Sequence, residues 1–148
     1  MIQESYPLIA DENREVFAFE SIGSRGCIAK IIVFDLVAGD IWNLGFGDRN
    51  NGNWDDEVIS NNGDLVRVIS TVAQAALQFS ERWPERRILI NPVDEKRKRL
   101  YNTIFKRRHH EIIQIFEVTG LTSQGMRPYE PDIFSHLFLL TRKKPVFL

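Results

Sequence analysis

Amide, glycine and acidic residues follow one another in Ser60-Asn61-Asn62-Gly63-Asp64, directly before an apolar periodic segment. Backbone amides at the start of a helix point toward a bound anion, and the positive end of the helix dipole favours negative charge. Asp64 would repel an anion, however, and Asn and Asp commonly cap helices. We interpret the segment as a capping turn. Asn61, Asn62, Gly63 and Asp64 remain ligand-binding candidates, with a polar or cationic ligand favoured over a nucleotide.

Acidic and amide side chains are also abundant in the polar segment 47–63, which we expect to form a long loop. Their oxygens are ligands of the kind that calcium takes. An EF-hand is excluded, because the sixth position counted from Asp48 is Asn53 and the twelfth is Ile59. We interpret the loop as a solvated polar connection and keep Asp48 as a further ligand-binding candidate.

Basic side chains are concentrated between residues 96 and 110. On a helical wheel Lys98, Arg99 and Lys106 share the face opposite the apolar residues, and such a patch could contact phosphates. Recognised helix-turn-helix, RNA-binding and zinc-finger patterns are missing. The 19 basic and 20 acidic residues almost cancel, so no overall positive charge steers the chain toward nucleic acid. We expect a solvated helix face, with nucleic-acid binding as an alternative.

The residues needed for disulfides, metal sites and several common catalytic motifs are missing from the sequence. Cys27 is the only cysteine, which excludes an intrachain disulfide and is typical of a reducing compartment. We expect it to be a small buried hydrophobe in a strand. The three histidines and one cysteine predict no metal site. Nucleophile-elbow, Walker and dinucleotide motifs are missing, and we expect neither a signal peptide nor a membrane span, and therefore a cytoplasmic protein.

The elements that would position these residues follow from hydrophobic periodicity. Three β-rich segments with short turns predict an antiparallel meander: residues 15–22, 27–37 and 41–46. Apolar residues then recur every three or four positions from Leu65 to Trp83, which predicts a long helix capped by Asp64 and stopped by Pro84. Residues 1–14 form a polar lead-in.

The second half of the chain predicts a short central strand at 87–91, a helix from Asp94 to Arg108, and strands at 111–119 and 133–141. The order is β-β-β-α-β-α-β-β. We therefore predict one α+β domain over residues 1–148, with a mostly antiparallel sheet, parallel crossovers in its middle and two helices packed on it.

This element order resembles the core of the CoA-dependent N-acetyltransferase superfamily. Tyr101, within Arg99-Leu100-Tyr101-Asn102, is similar to the tyrosine that serves as general acid in that superfamily. The resemblance implies an N-acetyltransferase-like core, acetyl-CoA as cosubstrate and Tyr101 as acid. The superfamily's pyrophosphate signature is replaced here by Asn-Asn-Gly-Asp-Leu-Val at 61–66, and its Gly-Phe after the tyrosine helix by Ile-Phe-Lys at 104–106.

Most of the chain also resembles an uncharacterised family of short proteins from Bacteroidetes-type bacteria. The resemblance rests on Trp-Asn-Leu-Gly-Phe-Gly-Asp at 42–48, on the 60–64 segment, and on Arg-Leu-Tyr-Asn at 99–102 ahead of Ile104-Phe105. It implies no particular activity.

We predict a non-catalytic binding or assembly domain that needs no cofactor and forms a homo-oligomer through an edge strand at 133–141. A degenerate acyl-CoA-dependent transferase that uses Tyr101 is the first alternative. Nucleic-acid binding through the helix at 96–108 is the second.

Overall fold

The computed structural model describes residues 4–50, 53–55 and 62–144. Its strands are β1 (Ile9–Ala10), β2 (Val16–Gly23), β3 (Gly26–Ala38), β4 (Ile41–Asn50), β5 (Asn53–Asp55), β6 (Arg87–Ile90), β7 (Phe116–Thr122), β8 (Gly125–Pro128) and β9 (Phe138–Arg142). Its helices are α1 (Leu65–Arg82), α2 (Glu95–Arg107) and the single turn α3 (His109–Ile112).

All of the described strands belong to one sheet. Eight of them follow the order β1-β2-β3-β4-β6-β9-β7-β8, and β5 pairs with β4 outside this row. Among the described strand pairs only β4 and β6 run parallel, because α1 carries the chain back across the sheet between them. The prediction of an α+β fold with a mostly antiparallel sheet is confirmed.

The meander buries one of its faces through strand alternation. Phe17 of β2 lies opposite Ile32 of β3, and Ile32 lies opposite Phe46 of β4, so these three side chains point to the same side. All three are buried. The apolar residues at every second position therefore build the half of the core that α1 covers.

Helix α1 packs its apolar stripe onto this face. Val68, Ala75 and Phe79 are buried, and the Phe79 ring stacks on that of Phe34 with centroids 4.1 Å apart. A fully buried phenylalanine contributes about 1.5–3 kcal/mol, so a few such contacts hold the helix on the sheet. The helix ends at Arg82, two residues before Pro84, as predicted.

Helix α2 starts where its capping residue predicts. The Asp94 carboxylate accepts a hydrogen bond from the Arg97 amide at 2.7 Å. Phe105 is buried and stacks on Phe138 of β9 with centroids 4.1 Å apart. The Asn102 side chain also exchanges two hydrogen bonds with the backbone of Ser135, at 2.7 and 2.9 Å, which fixes the connection before β9 on the helix.

Two predictions for the first half of the chain are wrong. The lead-in contains β1 and the buried Tyr6. The segment predicted as a loop from residue 47 begins as strand, since β4 continues to Asn50 and pairs with β5. Polar residues extend β4 here because β3 and β5 supply backbone partners, and strand preference depends strongly on such context.

The C-terminal half also departs from the prediction. Residues 109–112 are helical, and strand β7 starts at Phe116. The last strand starts at Phe138 and lies between β6 and β7, so the predicted edge strand at 133–141 is wrong. Within the described sheet β1 and β8 occupy the ends of the row. Cys27 is exposed, contrary to the predicted burial.

No helix in the described part of the chain is both long and apolar enough to cross a membrane.

Candidate functional site

The junction before α1 is tied to the turn between β2 and β3. Asn62 is only 1% exposed. Its amide nitrogen donates to the Gly26 carbonyl at 2.9 Å and lies 3.1 Å from the Ser21 hydroxyl, and its amide oxygen accepts from the Arg25 amide at 2.6 Å. The Asn62 carbonyl accepts from the Ser24 amide at 3.0 Å. The hairpin thus uses the side-chain amide and the carbonyl of Asn62, which serves as an anchor of the fold.

Asp64 is the residue directly before α1, but its side chain makes no capping hydrogen bond. The predicted cap is therefore wrong. One carboxylate oxygen instead accepts from the Tyr6 hydroxyl at 2.5 Å and from the Ser21 hydroxyl at 2.6 Å. Tyr6 is held in turn by a hydrogen bond from its amide to the Thr71 hydroxyl at 2.8 Å. Long-range partners have replaced the local amides.

These contacts shift two pKa values in opposite directions. Burial raises the pKa of Asp64, but the hydrogen bonds from Ser21 and Tyr6 outweigh it, so the pKa is lowered overall. Burial, together with the hydrogen bond to Asp64, raises the pKa of the Tyr6 hydroxyl. Asp64 is thus a carboxylate, and Tyr6 a neutral phenol, across the neutral range.

Gly63 connects Asn62 to Asp64 with a φ of +79°, a conformation that side-chain-bearing residues rarely adopt. The turn itself therefore requires glycine at position 63. Asn61, the fourth candidate from this segment, lies outside the described residues.

Asp48, the candidate from the predicted loop, is buried on β4 opposite Lys30 of β3. The Asp48 carboxylate and the Lys30 ammonium form an ion pair, and the two residues are 2% and 1% exposed. Removal of two charges from water is costly, and a direct pair offsets that cost only with good geometry. Among the described residues no group of three or more His, Cys, Asp or Glu is arranged to hold a metal ion.

A cavity of about 870 Å³, here called the basic groove, lies between the start of α1 and the helix α2. Its lining includes five cationic and three acidic side chains: Lys30, Arg67, Lys96, Arg97, Arg99, Glu4, Asp64 and Asp94. Lys30 is neutralised by Asp48, whereas Lys96 and Arg99 are exposed and form no ion pair with other residues of the described ranges. The lining therefore carries a net positive charge and favours an anionic ligand over the polar or cationic one predicted.

A second space, the strand cleft, opens where β4 and β6 diverge. Their ladder contains three residue pairs, from Ile41 opposite Arg87 to Asn43 opposite Leu89. Strand β4 then continues, while β6 ends at Ile90 and Pro92 follows. The resulting cleft of about 40 Å³ is lined by Leu44, Gly45 and Phe46 on one side and by the segment after β6 on the other. Beyond Asn43, β4 has no ladder to β6 in the described structure.

Tyr101 and Arg97 of α2 complete the strand cleft. Burial raises the pKa of the Tyr101 hydroxyl to about 12, and the nearby Arg97 charge lowers it only in part. The phenol is thus protonated at neutral pH and is able to donate a proton. Arg97 also lines the basic groove, so the two spaces meet at this side chain.

A third space, the apolar cavity, has a volume of about 120 Å³ and lies between α1, α2 and the sheet. It shares Leu44, Phe46, Ile90 and Tyr101 with the strand cleft. It shares Leu65, Val68 and Leu100 with the basic groove. All three spaces therefore adjoin α2 and border one another.

The predicted basic patch is divided by ion pairing. Lys98 pairs with Glu95 at 3.6 Å, and Lys106 pairs with Asp132 at 3.4 Å. Arg99 lines the basic groove. Nucleic-acid binding through these three residues stays a prediction.

Sequence reasoning missed Lys30, Arg67 and Arg97. Lys30 carried one usable signal, a lone charge inside the β-branched run of β3, which suggests a buried partner. Its partner Asp48 was visible only as part of a polar segment, because the register that joins them comes from strand pairing. Arg67 was a single charge on α1, and Arg97 was one of four consecutive basic residues on α2, of which only Lys98 and Arg99 were assigned to the patch.

The fold and these spaces define an α+β protein in which a cationic groove, an apolar cavity and a cleft between diverging strands meet beside one helix. The chain belongs to a family of unknown function, DUF6934, whose model matches residues 2–143. The predicted resemblance to a family without assigned function is thus confirmed. No curated protein matches the chain, and no solved structure does.

Proposed function

We propose that this protein binds an acyl thioester of coenzyme A, with the thioester in the strand cleft and the phosphates in the basic groove. The observation that carries the proposal is the divergence of β4 from β6 beside Tyr101 and next to a cationic cavity. The strand order and the position of α2 support the N-acetyltransferase-like core predicted from the sequence.

The cleft suits the pantetheine arm because that arm is an extended chain with two amide groups. The edge of β4 beyond Asn43 presents backbone donors and acceptors toward the cleft side, where its ladder to β6 has ended. An extended amide-containing ligand gains hydrogen bonds when it adds to such a strand edge. Pro92 on the opposite side lacks a backbone N–H and cannot close the gap with a strand ladder.

The phosphates require positively charged side chains, and the two walls of the basic groove differ in charge. Lys96, Arg97 and Arg99 on α2 provide positive charge, and arginine binds phosphate oxygens with a planar pair of donors. The wall formed by the start of α1 carries the Asp64 carboxylate, which disfavours a pyrophosphate there. We therefore assign the phosphates to the α2 wall.

Acyl transfer is a second candidate function, favoured by the position of Tyr101. An amine would attack the thioester carbonyl, and the C–S bond would break as the C–N bond forms. The departing thiolate would take the proton of the Tyr101 phenol, and the phenolate would then be reprotonated by the proton lost from the amine nitrogen. A phenol with a pKa of about 12 is protonated for the first step.

Calorimetric titration with acetyl-CoA tests binding. Arg99→Ala should weaken binding about tenfold, the effect of losing about 1.4 kcal/mol, and should make it less sensitive to salt. Arg107→Ala is the matched control, since Arg107 is an exposed arginine of the same helix outside the groove lining. Absence of both heat and thermal stabilisation at millimolar acetyl-CoA would contradict the proposal.

Tyr101→Phe separates binding from transfer. The variant should retain affinity for acetyl-CoA and lose release of the free thiol, measured with a thiol reagent in the presence of primary amines. Equal thiol release by the wild type and the variant would remove the catalytic role and leave a binding domain. A single domain in the cytoplasm, as predicted from the sequence, is part of the same proposal.

A further inference from the structure

We infer that the apolar cavity receives the hydrocarbon part of the acyl group, so that the preferred ligand carries an acyl chain longer than acetyl. This inference rests on the proposed function, because it assigns the acyl end of the same thioester. It concerns the space beneath α1 and α2, which the pantetheine arm and the phosphates do not use.

The first argument is the size and the lining of the cavity. Protein interiors are packed as tightly as organic crystals, with few voids larger than a water molecule. This cavity is partly open to solvent, and its volume of about 120 Å³ is several times the space needed by one water. Its lining is almost entirely aliphatic or aromatic, and water enters such a space reluctantly because it finds too few polar partners.

The second argument is where the cavity lies. Leu44, Phe46, Ile90 and Tyr101 line both the cavity and the strand cleft. A thioester carbonyl beside Tyr101 would therefore have its alkyl chain directed toward the helices α1 and α2. Leu65, which is half exposed at the start of α1, also lines the cavity.

The volume of the apolar cavity limits the length of the acyl chain. A cavity of roughly 150 Å³ lined by Leu, Ile and Phe holds one benzene molecule, which has six carbons. By that comparison the present cavity holds about four to six carbons. Each buried methylene contributes roughly 0.8 kcal/mol, which corresponds to about a fourfold gain in affinity per added carbon.

Calorimetry with free CoA and with acetyl-, butanoyl-, hexanoyl- and dodecanoyl-CoA tests the inference. Affinity should rise about fourfold per methylene up to roughly six carbons and should then level off or fall. Equal affinity for acetyl- and hexanoyl-CoA would overturn the inference and leave the proposed function intact. No binding of any CoA compound would overturn the proposed function, and the inference falls with it if hexanoate does not bind either.

A cavity-filling variant provides the second test. Ala76 of α1 lines the cavity and is buried, so Ala76→Leu places added carbons in the empty space. This variant should bind free CoA like the wild type and lose the gain from acetyl to hexanoyl. Ala29→Leu adds the same carbons at an exposed position of β3 and should retain that gain. Persistence of the gain in Ala76→Leu would also overturn the inference.

Ala73→Leu covers the case in which Ala76→Leu does not fold. Ala73 lines the same cavity and is less buried than Ala76. Binding of hexanoate by the wild type, without binding of any CoA compound, would refute the proposed function separately, since the cavity would then accept hydrocarbon from another source.

Discussion

Replacement of Tyr6 by Phe removes one hydroxyl from the network that joins the N-terminal segment to the start of α1. The ring can keep its place in the core, stacked on Phe19 with centroids 5.7 Å apart. What is lost is the 2.5 Å hydrogen bond to Asp64 and the acceptor of the Ile22 amide, which lies 3.0 Å from the hydroxyl oxygen. The substitution therefore tests polar contacts with little change in packing.

The expected loss follows from those two contacts. A hydrogen bond to a charged group contributes about 1.5–3 kcal/mol, and a partly buried amide without its acceptor costs about 1 kcal/mol more. We expect Tyr6→Phe to lower the free energy of unfolding by about 2.5–4 kcal/mol. For a chain of this length that corresponds to a decrease in Tm of roughly 5–15 °C.

The effect should depend on pH. Because the folded state lowers the pKa of Asp64, its contribution is fully present above the unfolded value of about 3.9. The contribution is lost as the pH falls through the lower, folded pKa. The difference between wild type and Tyr6→Phe should thus be constant near neutrality and shrink in acid.

Urea unfolding monitored by circular dichroism, between pH 7 and pH 3, measures both effects. Tyr129→Phe is the matched control, since the Tyr129 ring packs on Phe105 and Phe138 and its hydroxyl makes no hydrogen bond within the described residues. The reasoning is refuted if the two variants lose equal stability, or if the loss in Tyr6→Phe is unchanged in acid.

Two further predictions concern the strands beside this network. Asp48→Asn should destabilise the protein by about 3–5 kcal/mol in urea unfolding, because it removes the charge that pairs with buried Lys30. The double variant Lys30→Met/Asp48→Leu should recover most of that loss, and a double variant as unstable as the single one would argue against the charge explanation. Gly23→Ala should cost about 3 kcal/mol or more, since its Cβ would lie 1.9 Å from the Asn62 carbonyl oxygen. A change in Tm of less than about 3 °C would show that the junction can move aside.

The elements that depend on neighbouring residues were predictable from the sequence. The stripe of α1 repeats every three or four residues, and strands β2 and β3 alternate or consist of β-branched residues. The Asp94 cap belongs to the same class, since its partner is the amide three residues later. Local geometry alone decides such features.

Two strand features depended on the tertiary structure. Strand β9 lies between β6 and β7 although β7 precedes it in the chain, which turns the predicted edge into an interior strand. The residues after Phe46 continue as β4 because β3 and β5 pair with them. In both cases backbone partners that are distant in the sequence outweighed the local sequence pattern.

The candidate site shows most clearly which features the sequence predicts and which depend on the tertiary structure. The sequence by itself placed Asn62, Gly63 and Asp64 at a helix start, and the structure agrees. Only the tertiary structure decided what they do there, because the partner of Asp64 is Tyr6, 58 residues earlier. The Asp64 carboxylate is held by two hydroxyls and does not cap the helix. The net charge that a ligand meets is set by cations on α2, and the sequence did not show that α2 lies beside the start of α1.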